Sequence, residues 1–150
     1  MISIRKSRIL PRIILLEFET TEELASSLVR FQEHYESPEF KGRIFSIREF
    51  EDWYIKKKGS FIYYSEWDGF NFPSYSLRGF FEGRFDPLSE AEKQILELIR
   101  EEGDDFYVIG VARQSNDPMI LKHEIAHGLF YVFPEYRKKA IEIINNPLIE

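Results

Sequence analysis

The chain has 150 residues, no cysteine, and 20 Lys and Arg against 26 Asp and Glu, for a net charge of -6. That length suits one domain able to bury a substantial core. The acidic balance argues against a phosphate-collecting surface and hence against nucleic acid as a partner, and without cysteine there is neither a disulfide framework nor a thiolate metal site.

In chain order, the first dozen residues carry Arg5, Lys6, Arg8 and Arg12, which suit contact with an acidic surface but read equally well as a solvated tail or an edge strand and are assigned no function. The apolar run Ile13 to Leu16 is too short for a signal or membrane segment, so a soluble cytoplasmic protein without membrane contact is expected. Ile13 to Glu19 reads as a strand. Thr20 with Glu23 then makes a capping box for a helix through about Tyr35. Gly42 to Tyr64 looks like strand and turn material. Within it Ile44, Ser46 and Arg48 alternate with Phe45, Ile47 and Glu49, which predicts a half-buried strand over Arg43 to Phe50.

Aromatic residues make up 16% of the chain, and many gather between Phe61 and Phe85. Interleaved with Gly69, Pro73, Gly79 and Gly83, they can form a flap or subsite wall over a substrate, or simply fill the core. Strands bounded by such turns pack their rings inward, which favours the core. Ser89 with Glu92 makes a second capping box, for a helix with Ile95, Leu96 and Ile99 inside and a stop at Gly103. The acidic cluster Glu101, Glu102, Asp104 and Asp105 reads as a solvated turn, since it lacks the spaced oxygen ligands and central glycine of a calcium loop. Phe106 to Ala112 is a β-rich run.

The most specific signal follows: His123-Glu124-Ile125-Ala126-His127, an HExxH pentapeptide. Asp117 supplies an N-cap and Pro118 a first helical residue whose missing N–H does no harm, so a helix is expected here independently of the motif. Residues four apart share a helix face, so His123 and His127 can offer ring nitrogens to one ion. Leu121, Ile125, Leu129 and Val132 fall on the opposite side, giving the helix an apolar back and a polar front. Glu124, about 100° round from His123, is placed to act on water at the open position of such an ion, as a general base must.

This stretch resembles the active-site helix of zincin metallopeptidases, whose signature also wants uncharged residues where Ile120, Leu121, Ile125, Ala126, Gly128 and Leu129 stand. The resemblance covers about a fifth of the chain. It implies Zn²⁺ as cofactor, His123 and His127 as ligands, and Glu124 as the base that activates the zinc-bound water. Phe130 and Phe133 stand where the metzincin branch has its glycine and third histidine, which disfavours that branch. The gluzincin branch takes a glutamate from a following helix. Here Phe133-Pro134 ends the first helix and opens the next. At a rise of about 1.5 Å per residue, the returning arm of a hairpin comes level with the histidines near positions 139 to 143, which selects Glu142, with Glu135 second. Tyr131, one turn past His127, is a candidate hydrogen-bond donor to a developing oxyanion or a packing residue. Zincins also set an edge strand beside this helix to pair with the substrate backbone, and Phe106 to Ala112 stands in the matching place, with Gly110 permitting close approach; as a buried central strand the same residues serve equally well.

These observations predict an α+β fold in a single domain spanning residues 1–150. It has a mixed or antiparallel sheet and a zincin-like HExxH helix followed by a C-terminal helix. The expected activity is zinc-dependent hydrolysis of a peptide or protein substrate. The alternatives are a catalytically inactive zincin-like protein that binds peptides or proteins, and a structural metal site with every position filled by protein.

Overall fold

The computed structural model describes residues 1–115 and 117–145. In chain order the elements are β1 (Ile4–Leu10), β2 (Ile13–Phe18), α1 (Thr21–Glu36), α2 (Ile47–Lys58), α3 (Tyr63–Glu66), β3 (Gly69–Pro73) and α4 (Arg78–Phe81). They continue with α5 (Glu90–Ile99), β4 (Tyr107–Ala112), α6 (Pro118–Val132) and α7 (Pro134–Ile144). The sheet order is β1-β2-β4-β3, with β2 and β4 parallel and the outer pairs antiparallel. This is the α+β architecture with a mixed sheet that the sequence predicts. Among the described residues no helix is long and apolar enough to cross a membrane.

The two faces of the sheet follow from the alternation of side chains along each strand. Ile14, Leu16 and Phe18 of β2, Phe70 and Phe72 of β3 and Val108 of β4 enter the larger core, with Leu24, Leu28 and Phe31 of α1. Ile13 and Leu15 of β2 with Tyr107 and Ile109 of β4 enter a smaller one, roofed by Leu121, Ile125, Leu129 and Val132 of α6. The apolar back predicted for the HExxH helix is therefore the surface that clamps it to the sheet.

Local capping accounts for several boundaries. Asp117 accepts from the N–H of Met119, with Pro118 opening α6. Ser89 and Glu92 form both halves of their capping box, and the buried Glu92 carboxylate also receives Arg30 at 2.8 and 2.6 Å. Thr20 accepts from the Glu23 N–H, but the return bond from the Glu23 side chain does not form. Arg43 to Phe50 departs from the predicted strand. Ser46 and Glu49 form a complete capping box that opens α2 at Ile47, and the helix buries Phe50 and Tyr54 four residues apart. A capping box supplies two hydrogen bonds locally, whereas an alternating segment needs a neighbouring strand to pair with, and here none is alongside.

The topology decides between readings left open by the sequence. The β-rich run forms β4 (Tyr107–Ala112) between β2 and β3, the buried central strand of the two readings, and the edge beside α6 belongs to β3. Gly110 serves helix packing, since a Cβ there would come 2.5 Å from Leu28 and 3.0 Å from Leu24 of α1. Arg5, Lys6 and Arg8 lie on the edge strand β1, one of the readings the sequence offered, and the basic residues pair with the acidic turn after α5: Lys6 with Glu101 and Glu102, Arg8 with Glu102, and Arg12 with Asp105. Of the aromatic rings of the central segment, Tyr63, Phe70, Phe72, Phe80 and Phe85 are core, and Phe61 and Tyr64 pack against it half-buried.

Candidate metal centre

The front of α6 faces a cleft of about 340 Å³. Its walls come from α6 (His123, Glu124, His127), the last turns of α1 (Gln32, Glu33, Glu36), Tyr63 and Trp67, and the start of β3 (Gly69 to Asn71). Trp67, 50% exposed, is the aromatic of the central segment that stands open at this cleft, while Tyr63 lines it from within the core.

His123 and His127 are exposed at the cleft, and their Nε2 atoms lie 3.2 Å apart. Two zinc–nitrogen bonds of about 2.0–2.1 Å meeting at a tetrahedral angle hold their nitrogens about 3.3–3.4 Å apart, so the pair fits a shared ion. In a ring-to-ring hydrogen bond at this distance the donor is set by the tautomers, whereas a shared ion takes the Nε2 lone pair of both rings, with each ring proton on Nδ1.

Glu124 occupies a different environment. It is 6% exposed, and its Oε2 accepts from the side-chain amide of Asn71 in β3. Asn71 is oriented in turn by Tyr107 of β4, whose hydroxyl donates to the Asn71 carbonyl oxygen. Burial pushes the Tyr107 hydroxyl far above its ordinary pKa, helped by the negative groups around it, so it remains a donor. That fixes the Asn71 amide with its N–H₂ toward Glu124. Burial raises the pKa of the Glu124 carboxyl, as does the charge of Glu36, against the opposing pull of His127, His123 and the Asn71 amide. A carboxylate of raised pKa is a better proton acceptor at neutral pH.

The other oxygen, Oε1, lies against the backbone of Gly69. A Cβ at that position would come 2.7 Å from it, so only glycine permits this carboxylate to lie where it does. The free edge of β3 is also engaged: the Asn71 N–H donates to Oε1 of Gln32 at 2.8 Å, and Gln32 Nε2 donates to Glu36 at 2.7 Å. A single residue, Asn71, thus ties Tyr107, Glu124 and Gln32 together.

The structure brings His123, Glu124 and His127 to one cleft, as the motif implies. Glu142 and Glu135 are exposed on α7 and do not line it. Among the described residues no group of three or more His, Asp or Glu side chains is arranged to hold an ion. Facing the histidines are the end of α1 and the start of β3, while α7 is anchored at the far end of α6, where Arg137 donates to the carbonyls of Phe130 and Tyr131. Tyr131 packs its ring on Tyr107 at 5.1 Å between centroids and on Tyr75 at 6.2 Å, and is not part of the cleft lining. Sequence reasoning missed Asn71, Tyr107, Gln32 and Glu36. None belongs to a motif, and only strand pairing and helix packing place them here.

The chain matches no protein-family model, no curated protein and no solved structure.

Proposed function

We propose that the protein is a zincin-type, zinc-dependent peptidase of the cytoplasm, acting on a peptide or protein substrate at this cleft. The observation that carries the reading is the 3.2 Å approach of the two imidazole nitrogens beside a separately held, buried Glu124. His123 and His127 hold the ion through Nε2. When bound, zinc supplies Lewis acidity, lowering the pKa of a water and polarising a carbonyl.

The chain's own residues supply the rest. Glu124 takes a proton from the attacking water on Oε1, the oxygen that Asn71 does not occupy, and returns it to the leaving nitrogen. Asn71 holds the carboxylate still through Oε2, and Tyr107 holds Asn71. Trp67, half exposed, offers ring surface to an apolar substrate side chain. Because Gln32 already takes the Asn71 N–H, the substrate lies in the cleft between α1 and α6 and does not pair along the whole of β3.

The test is Glu124→Gln, which keeps the side-chain shape and the hydrogen bond to Asn71 after an amide rotation. Zinc content should stay at the parent level while hydrolysis of a mixed peptide library falls about a hundredfold or more. Cleavage at the parent rate would remove Glu124 from the mechanism. A parent protein that holds zinc and cleaves nothing would favour a binding role instead.

A further inference from the structure

We infer that Glu36, at the last turn of α1, is the third protein ligand of the metal, so that the site is closed by a helix preceding the HExxH motif. This rests on the metal-binding reading of His123 and His127 given above. Three carboxylates line the cleft among the described residues: Glu33, Glu36 and Glu124. Glu124 is held through Oε2 by Asn71 and is already assigned as the base, so it is not counted as a ligand. Glu33 is half-buried, one turn further from the exposed end of α1 than Glu36. Glu36 is exposed and faces the same space.

Gln32 holds Glu36 at the cleft. One of its oxygens accepts from Gln32 Nε2 at 2.7 Å, leaving the second for an ion. Gln32 itself is 9% exposed and locked at its other end by the Asn71 N–H. A buried amide with both ends engaged, one on β3 and one on a cleft carboxylate, is the outer support that ligating carboxylates ordinarily carry. Binding requires the Glu36 side chain to swing toward the imidazoles, and its exposed position at the helix end allows this. The assignment also gives the ion a compensating negative charge, which the two neutral histidines do not.

The experiment is zinc affinity by competition with a chromogenic chelator, together with the visible spectrum of the cobalt-substituted protein, on the full chain. Glu36→Gln retains an acceptor for Gln32 and should leave the circular dichroism melt unchanged. It should weaken zinc binding by at least about tenfold and alter the cobalt bands. Glu33→Gln and Glu142→Gln should match the parent in both readouts. Gln32→Met, which frees Glu36 without removing it, should weaken binding less than Glu36→Gln does. If Glu36→Gln binds like the parent while His123→Ala does not, the Glu36 assignment is overturned and the histidine centre stands. The same holds if Glu142→Gln is the variant that loses affinity. If His123→Ala also binds like the parent, the underlying metal reading fails.

Discussion

The side-chain amide of Asn71 donates to the Glu124 carboxylate, and this bond fixes the orientation of the candidate base. Asn71 sits at the centre of β3 with its side chain on the α6 face, so the strand acts as the support of the site. Asn71→Ala is expected to lose the hold on Glu124 and to leave the Tyr107 hydroxyl buried without its acceptor. A buried hydroxyl so orphaned costs about 1–3 kcal/mol. Denaturant unfolding should show a loss of that size for Asn71→Ala, and the double variant with Tyr107→Phe should lose less than the two single variants summed. Strict additivity would show that the two side chains do not act together.

Gly69→Ala tests the close approach beneath Glu124. The added methyl would lie 2.7 Å from Oε1 and must displace either the carboxylate or the strand. Since a misplacement of about 1 Å can reduce turnover about a hundredfold, kcat should fall by one to two orders of magnitude, roughly, while zinc affinity stays at the parent value. Parent turnover in this variant would mean that the carboxylate position is not critical.

Glu33 carries a pH-dependent part of the stability. Burial raises its pKa above 4.5, partly offset by hydrogen bonds from Tyr63 and Ser37, with the charge of Glu36 pushing it further up. The folded state therefore binds the proton more tightly than the unfolded chain. Stability falls as pH rises from the unfolded pKa through the folded one, because the unfolded chain releases its proton first. Glu33→Gln removes this dependence and still offers Tyr63 an acceptor. Its melting temperature relative to the parent should rise between pH 4 and pH 8, roughly. A difference that is constant across that range would exclude the linkage.

The legible parts of the fold are those whose signals are local. Asp117-Pro118, Thr20 and Ser89 announce helix starts because a cap acts within three residues, and the period of Leu121, Ile125, Leu129 and Val132 fixes which side of α6 is buried. Ser46 and Glu49 carry an equally local signal, but a run of alternating residues overlies it and points to a strand that has no neighbour. The site was legible only where the motif is contiguous. Asn71 and Tyr107 meet through the antiparallel pairing of β3 with β4, and Gln32 and Glu36 look like any polar helical residues until α1 is laid across the sheet edge. Glu142 followed from treating α6 and α7 as level arms of a hairpin, whereas the wall facing the histidines is built from α1 and β3.

The central claim is that Nε2 of His123 and Nε2 of His127 share one cation. Equilibrium dialysis against zinc followed by elemental analysis measures this directly on the parent, His123→Ala and His127→Ala. The account predicts one zinc per parent chain and loss of that zinc in each histidine variant, with all three proteins folded by circular dichroism. A parent that retains no zinc, or variants that retain as much as the parent, would contradict it.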